Sequence, residues 1–370
     1  MPSKRQNQDP RDLLIVMPAS LSECVMATPT LDALRGLYPE ASMTAVIKRR
    51  HRAILDGLGC VDRVLTVRQR RRKTPGKSKR RRSLIGLGRR LSKLDLDLAV
   101  LLPDTFKAAA LAAVAGIPRR VGYERDGRGV LLTDRLIPRR HKGKFVPVPK
   151  LDYYLGLARY LGAVDPPHRM RLALDPAAAD RVDAWLEQDE CDPQHSELLL
   201  IAPGGNNPAK RWSPRRYAHL IDLMNDRYGT TAAVLAQPGE EAVVHELIEA
   251  AKSSVIDFSA HPMGLSEIKS AVSRARLLVT NDIGPRHIAA ALGVPTLSLF
   301  GPTGPEWSHT GVATEHHLVA TGISVAARDD PGFDGRASID RIRTDTAFEA
   351  CAALYQRTAS LPKMPGGFVQ

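Results

Sequence analysis

The feature that most constrains the fold is an alternation of short apolar runs with helical patterns along the chain. The run Leu13–Met17 is closed by Pro18, a helical pattern extends from Cys24 to Leu37, and a second apolar run follows at Met43–Ile47. Strands that are buried on both faces read as continuous apolar runs, so these segments predict parallel strands joined by helices. Pro29 interrupts the helical pattern and predicts either a kink or the true start of that helix.

A second series of the same kind begins at Leu198–Ile201 and ends with the strand-like run Thr296–Phe300. At 370 residues the chain is long enough for two domains. The sequence therefore predicts an α/β protein with two Rossmann-like, doubly wound domains that face a central cleft. We expect a disordered lead-in at residues 1–11, an N-terminal domain at 12–190 and a C-terminal domain at 191–344.

The net charge of +13 predicts an anionic partner: a nucleic acid, a phospholipid surface or a phosphorylated substrate. Much of this charge lies in the basic loop 68–90, RQRRRKTPGKSKRRRSLIGLGRR. We expect this loop to hold a phosphorylated glycolipid or to contact an anionic membrane surface, and the competing interpretation is a solvated, mobile loop. Aromatic residues make up only 5% of the chain, which argues against stacking platforms for single-stranded nucleic acid.

The four cysteines are dispersed and form neither a metal-binding nor a disulfide pattern, which favours a reducing, cytosolic setting. No apolar run approaches the roughly 18 residues that span a bilayer. The polar N-terminus lacks the apolar core of a signal peptide. We therefore expect a cytoplasmic protein without a bound metal.

The segment Leu277–Gly293, LLVTNDIGPRHIAAALG, predicts a buried strand, a short loop and the start of a helix. Ligands of doubly wound sheets bind at the carboxyl ends of strands, and a helix N-terminus there suits a phosphate group. Gly284 permits close backbone approach, His287 offers a ring N–H, and Asp282 accepts hydrogen bonds from sugar hydroxyls. The competing interpretation is that Asn281 and Asp282 only cap the helix. The glycine-bearing loop Gly301–Pro305 follows the next strand, which favours a ligand site.

Two further loops follow predicted strands of the same half. In APGGNNPAKRW, Gly204 and Gly205 free backbone N–H groups, and Lys210 supplies a cation for a diphosphate. Trp212 of that loop is a packing anchor or a ligand contact, and Arg211 fits a solvated charge. In QPGEE, Glu240 and Glu241 are either ligands of ribose or sugar hydroxyls, or acids that favour the first turn of a helix.

In the N-terminal half, the loop PASLSE follows the first predicted strand and places Glu23 at a strand end. A carboxylate there suits the removal of a proton from an acceptor hydroxyl. The alternative is a helix start in which Ser22 is the N-cap and Glu23 a favourable first-turn acid. The residues alone do not decide between these two interpretations of Glu23.

Four stretches together resemble glycosyltransferase family 9, the ADP-heptose:lipopolysaccharide heptosyltransferases. They are LIVMPASLSECVMATPTLDALRGLYPEA, DTFKAAALAAVAGIPRRVGYERDGRG, PGGNNPAKRWSPRRYAHL and, most specifically, NDIGPRHIAAALGVPTLSLFGPT. The resemblance implies a GT-B fold in which a C-terminal helix and tail, residues 345–370, pack back on the N-terminal domain. It also implies inverting transfer from an ADP-sugar without a tightly bound cofactor or metal.

The resemblance assigns residue roles in both domains. Glu23 becomes the catalytic base, where Ser22-Glu23 replaces the family's usual Gly-Asp. With the glycines and Asn281 of the same loops, the expected donor-binding residues are Gly204, Gly205, Lys210, Glu240, Glu241, Asn281, Asp282, Gly284, His287, Gly301 and Thr303. The expected acceptor-binding residues are Ser22, Arg80, Arg81, Arg82 and Lys107.

Three functions are compatible with these sequence features. The first is a heptosyltransferase-like enzyme of cell-envelope lipopolysaccharide synthesis, with a phosphorylated glycolipid acceptor and peripheral contact with the cytoplasmic face of the inner membrane. The second is a catalytically degenerate member that binds a nucleotide sugar or glycolipid, which the Ser22-Glu23 departure motivates. The third, a nucleic-acid binder, rests on charge alone, and we expect no nucleic-acid partner.

Overall fold

The protein, described here by a computed structural model, consists of two compact α/β units, Met1–Arg171 and Leu172–Gln370. The structure describes residues 9–67, 84–142, 144–192, 197–205, 207–237, 239–301, 304–320 and 339–358. Each unit contains a six-stranded sheet whose paired neighbours are all parallel. This arrangement confirms the predicted α/β class with two doubly wound domains.

The first unit alternates strands and helices in chain order. Its strands are β1 (Asp12–Val16), β2 (Ser42–Lys48), β3 (Arg63–Val67), β4 (Leu98–Leu101), β5 (Arg119–Tyr123) and β6 (Asp134–Leu136), followed by a hairpin of β7 (Arg140–His141) and β8 (Lys144–Phe145). Its α-helices are α1 (Leu21–Met26), α2 (Thr28–Leu37), α3 (Leu84–Leu91), α4 (Phe106–Val114) and α5 (Lys150–Leu161).

The second unit repeats the pattern. Its strands are β9 (Leu198–Ala202), β10 (Thr231–Val234), β11 (Val255–Asp257), β12 (Leu277–Asn281), β13 (Thr296–Phe300) and β14 (Glu315–Val319). Its α-helices are α6 (Pro176–Gln188), α7 (Pro214–Tyr228), α8 (Glu241–Ala250), α9 (Leu265–Arg274), α10 (Gly284–Leu292) and α11 (Thr344–Arg357).

The strand order is the same in both sheets. It is β3-β2-β1-β4-β5-β6 in the first and β11-β10-β9-β12-β13-β14 in the second. The order reverses between β1 and β4 and between β9 and β12, and such switch points open a crevice at the carboxyl ends of the strands. Every residue of β4, β9, β12 and β13 is buried, as expected for strands covered by helices on both faces.

Pro29 marks the start of a helix rather than a kink inside one. Helix α1 ends at Met26, and α2 begins at Thr28 with Pro29 in its first turn, where proline needs no intrahelical N–H bond. The second of the two predicted alternatives is therefore confirmed, and the expected helix over Cys24–Leu37 is two helices.

The boundary between the units lies between Arg171 and Leu172, earlier than the expected boundary after residue 190. Helix α6 belongs to the second unit because it packs against α9. Arg274 of α9 donates to both carboxylate oxygens of Asp183, at 2.6 and 2.7 Å. The sequence of a single helix gives no information about its packing partner, so the boundary could not be located from it.

The structure describes part of each chain end. The backbone N–H of Arg11, expected in a disordered lead-in, donates to Asp97 at 2.9 Å, and residues 1–8 lie outside the described residues. Helix α11 packs on α7 and buries Ala347, Cys351 and Leu354 in the core of the second unit. The tail 359–370 lies outside the described residues.

Candidate functional site

Asn281, the last residue of β12, lies at the switch point of the second sheet and is fully buried. Its Nδ2 donates to Pro203 O at 2.8 Å and Gly204 O at 3.1 Å. Its Oδ1 accepts from the Trp212 backbone N–H at 3.3 Å and from the Tyr217 hydroxyl at 3.0 Å. These four bonds use the whole capacity of an amide side chain. Asn281 therefore fixes the neighbouring loop, and its side chain has no capacity left for the donor contact that was predicted.

Trp212 is a packing anchor. Its side chain is fully buried, its Nε1–H donates to Ile342 O at 3.0 Å, and its ring meets Tyr217 edge-on with centroids 4.9 Å apart. Arg211, expected to be a solvated charge, donates from Nε to Gly205 O at 2.8 Å. Through these contacts, Trp212 and Arg211 fix the loop of Lys210 against the rest of the second unit.

Glu240 joins two of the predicted donor loops. Its carboxylate accepts from the N–H of Gly205 at 2.6 Å and of Gln237 at 3.0 Å. A Cβ atom added to Gly204 would overlap this carboxylate, so the close approach requires glycine. Gly205 has φ +140°, a left-handed conformation that L side chains rarely adopt. Glu240 is thus a brace between loops.

Glu241, the first residue of α8, accepts the N–H of Gly239 at 2.9 and 3.0 Å. This hydrogen bond from Gly239 lowers the pKa of Glu241. Its geometry matches the alternative in which the acid stabilises the start of a helix. Gly301 is likewise needed for packing, because an added Cβ would lie 2.7 Å from Ile339 Cβ. Thr303 lies outside the described residues.

Helix α10 begins without a side-chain cap. Its N-cap is Ile283, which has no hydrogen-bonding side chain, and Gly284 is its first residue. Asn281 binds the loop of Pro203, and Asp282 pairs with side chains, so the competing interpretation that these two residues cap the helix is wrong. Among the described residues, no N-cap side chain binds the first-turn N–H groups of α10, which suits them to an anion.

His287 lies in the first turns of this helix and is only 1% exposed. Within the described part of the chain, its Nδ1 has no hydrogen-bond partner. Burial, and then the charge of Arg286, lowers the pKa of His287 to about 4, so the ring is neutral near pH 7. A buried ring nitrogen without a partner costs free energy, which a ligand atom would recover.

Asp282 lies between two cations. Its Oδ2 is 3.6 Å from Lys210 Nζ, and its Oδ1 is 3.0 Å from Arg286 Nη1. The Asp282 side chain is 17% exposed and that of Lys210 is 28% exposed, so both remain accessible. The structure brings together Lys210, Asp282, Gly284 and His287, as predicted from their loops.

Arg286 is fully buried, and the sequence pattern did not predict a role for it. Its guanidinium forms an ion pair with Glu315, donates to Ser308 Oγ at 2.9 Å and lies 4.9 Å from the centre of the Phe300 ring. Glu315 begins β14 and also accepts from Ser298 Oγ at 2.8 Å. The sequence feature that could have indicated this role is an arginine next to His287 in the mostly apolar helix GPRHIAAAL.

Glu23 lies in the first turn of α1, at the switch point between β1 and β4 of the first sheet. The N-cap is Ser20, whose Oγ accepts the Glu23 N–H at 3.3 Å, and not Ser22 as the alternative proposed. Glu23 Oε1 is 3.9 Å from Lys150 Nζ, and the side chain is 30% exposed. The carboxylate is therefore accessible to a ligand and paired with a cation.

Asp104, which follows β4 at the same sheet edge, was also missed. It accepts from the Tyr153 hydroxyl at 3.0 and 3.1 Å and from Arg128 Nη2 at 3.2 Å. Its Oδ2 lies 3.6 Å from Arg125 and 3.9 Å from Lys150. The signal for this group was an aspartate in the loop that follows the buried strand β4.

Of the predicted acceptor residues, Lys107 lies exposed in the first turn of α4 and Ser22 lies partly buried in α1. Arg80, Arg81 and Arg82 lie outside the described residues. In the ranges that the structure describes, no three His, Cys, Asp or Glu side chains are grouped to hold a metal ion. None of the described helices is both long and apolar enough to pass through a bilayer.

Comparison with known proteins identifies the family. The family model for glycosyltransferase family 9 (heptosyltransferase) matches residues 84–324, which is more than half of the chain. Lipooligosaccharide heptosyltransferase 2 of Haemophilus influenzae is 27% identical over 227 residues, which cover 57% of this chain and 62% of that protein. Lipopolysaccharide heptosyltransferase 2 of Salmonella typhimurium is 25% identical over 310 residues, with 80% and 84% covered.

A solved structure shares the fold. The ADP-heptose lps heptosyltransferase II of E. coli superimposes with a TM-score of 0.76 at 21% identity, covering 94% of this chain and all of that one. This likeness confirms the GT-B fold, and the family match confirms the resemblance drawn from the four sequence stretches. The chain belongs to glycosyltransferase family 9, the heptosyltransferase family, and is a glycosyltransferase.

Proposed function

We propose that the chain transfers a heptose from ADP-heptose to a lipopolysaccharide or glycolipid core acceptor, with inversion at the anomeric carbon. The observation that carries this proposal is the start of α10, where uncapped N–H groups adjoin a buried His287 without a partner for Nδ1. A diphosphate is the ligand class that such a helix start accommodates best. The solved relative named for ADP-heptose supports the choice of donor.

In the proposed donor complex, Lys210 and the first turn of α10 bind the diphosphate, and His287 donates one hydrogen bond. Asp282 holds Lys210 and accepts from sugar hydroxyls. Asn281, Glu240 and the glycines of the second unit set the loop shapes. Because charge develops on ADP as it leaves, the cation and the helix dipole stabilise the departing group.

In the proposed reaction, the acceptor hydroxyl oxygen attacks the anomeric carbon on the face opposite the diphosphate. The bond from carbon to phosphate oxygen breaks, its electron pair leaves with ADP, and Glu23 takes the hydroxyl proton. Ser22, Lys107 and the basic residues Arg80, Arg81 and Arg82 contribute to acceptor binding. The basic loop 68–90 also contacts the anionic cytoplasmic face of the inner membrane.

The test begins with donor binding and turnover by the purified full chain. A thermal-shift series with ADP-, UDP- and GDP-sugars should show stabilisation by ADP-sugars, because a ligand of the folded state raises Tm. ADP-heptose should be turned over with a phosphorylated core acceptor. Stabilisation by UDP- or GDP-sugars alone would reject the donor assignment. Donor binding without turnover by the wild-type protein would favour the degenerate binding protein.

Glu23→Gln tests the proposed base. We expect donor stabilisation to persist while kcat falls by about 10²–10⁴-fold, the usual contribution of general-base catalysis. Glu40→Gln, which alters an exposed carboxylate of the same unit, should match the wild type. Unchanged turnover of Glu23→Gln would exclude Glu23 as the base.

A further inference from the structure

Lys150 occupies a position that its own helix disfavours. It is the first residue of α5, follows the N-cap Pro149, and has no side-chain cap beside it. The positive end of the helix dipole repels a cation there. The lysine is nevertheless only 21% exposed, so solvent does not fully compensate for this repulsion. Nearby carboxylates and aromatic rings stabilise its positive charge instead.

The surroundings of Lys150 consist of two carboxylates and two aromatic rings. Its Nζ lies 3.9 Å from Glu23 Oε1 and 3.9 Å from Asp104 Oδ2. It also lies 4.7 Å from the Tyr153 ring centre and 5.9 Å from that of Tyr154. One ammonium group thereby links α1, α5 and the loop after β4 at the switch point of the first sheet.

Asp104 is the fixed side of this arrangement. Its oxygens are held by the Tyr153 hydroxyl and by Arg128, whose side chain is fully buried and also donates to Tyr123 O at 2.7 Å. Tyr153 is stacked on Tyr123 with ring centres 3.8 Å apart. Glu23, by contrast, is 30% exposed. The hydrogen-bonded Asp104 therefore fixes the ammonium group of Lys150. Lys150 in turn pairs with the more accessible carboxylate of Glu23.

We infer that Lys150 is a positioning residue for Glu23, a conclusion that rests on the proposed role of Glu23 as the base. Glutamate is one methylene longer than the Asp common in the family, and its additional torsion has to be restricted for the carboxylate to meet the acceptor hydroxyl. The ammonium of Lys150 favours one orientation of Oε1. When Glu23 takes the proton and becomes neutral, Asp104 still pairs with Lys150, so no unpaired cation is created.

The experiment is a double-mutant cycle on the full-length protein with ADP-heptose and a core acceptor. Lys150→Met should lower kcat by about 10–100-fold, since a displacement of about 1 Å costs up to 100-fold in rate. The KM for the donor should stay unchanged, and Lys150→Arg should recover most of the rate. In a Glu23→Gln background, Lys150→Met should have almost no further effect on kcat.

The distribution of the loss between kcat and KM provides a readout that a merely structural role would not change. A structural defect would lower kcat and donor affinity together, whereas a misplaced Glu23 carboxylate lowers kcat alone. Lys93→Met, a change of an exposed lysine in the same unit, is the matched control and should keep the wild-type kcat and KM.

Equal losses from Lys150→Met in the wild-type and Glu23→Gln backgrounds would overturn the inference, as would a wild-type kcat in Lys150→Met. If Lys150→Met fails to fold, a wild-type kcat in Lys150→Gln would overturn it in the same way. If the wild type transfers sugar and the Lys150 variants keep its kcat, only this inference is rejected. Absence of sugar transfer by the wild type rejects the proposed function and the inference together.

Discussion

Arg286 Nη1 lies 3.0 Å from Asp282 Oδ1, one helical turn away, while the same guanidinium forms a buried ion pair with Glu315. The arginine therefore connects the proposed donor loop to the first residue of β14. The buried guanidinium group of Arg286 thus orients the carboxylate of Asp282.

Arg286→Met should destabilise the second unit by about 3–5 kcal/mol, because it leaves the buried Glu315 carboxylate without its partner. Urea unfolding followed by circular dichroism measures this change. Arg215→Met is a suitable control, since its ion pair with Glu246 is exposed and is worth about 1 kcal/mol or less. Arg286→Met/Glu315→Met should be more stable than Arg286→Met alone, and an equally unstable double variant would contradict the explanation.

The same pair predicts a pH dependence of stability. Burial acts to raise the pKa of Glu315, but the hydrogen bond from His317 and the charge of Arg286 outweigh it and hold the pKa below the ordinary value of 4.5. A depressed pKa in the folded state stabilises the protein above the unfolded value, and this contribution is lost as pH falls below it. The free energy of unfolding should therefore decrease below pH 4.5, and less steeply in Glu315→Gln. Parallel curves for the two proteins would refute this assignment.

Asn281→Ala should cost at least about 3 kcal/mol, because it leaves several buried loop groups without hydrogen bonds and each costs about 1–3 kcal/mol. Tyr217→Phe removes only one of these bonds and should cost about 0.5–1.5 kcal/mol. Chemical denaturation compares the two variants. Asn281→Ala should also reduce the thermal shift produced by ADP-sugars, because the donor loop loses its anchor. Equal stabilities of the two variants would argue against the role given to Asn281.

Gly204→Ala and Gly36→Ala should change stability in opposite directions. The methyl group at Gly204 would overlap the Glu240 carboxylate, and such overpacking costs about 1–3 kcal/mol. At Gly36, inside α2, nothing lies within 4 Å of an added Cβ, so alanine should stabilise the helix by up to about 1 kcal/mol. Thermal unfolding of both variants measures the signs, and a stabilised Gly204→Ala would contradict the bracing role of Glu240.

Much of the fold was predictable because strand and helix patterns are local. Apolar runs such as Leu198–Ile201 predicted strands, and alternation with helices predicted doubly wound sheets. The rule that ligands bind at strand ends then selected the loops of Lys210, Asp282 and Glu23. The resemblance of four stretches to one family identified the same loops independently.

The sequence by itself determined which segments become strands and helices, and which loops lie at the carboxyl ends of the strands. Only the tertiary structure decided that Asn281 fixes a loop, that Arg286 pairs with Glu315, and that Lys150 meets Glu23. The physical reason is that these pairs join residues from separate elements. Periodicity within one element specifies its buried face, but the identity of the side chain across that face depends on how the whole sheet and its helices pack.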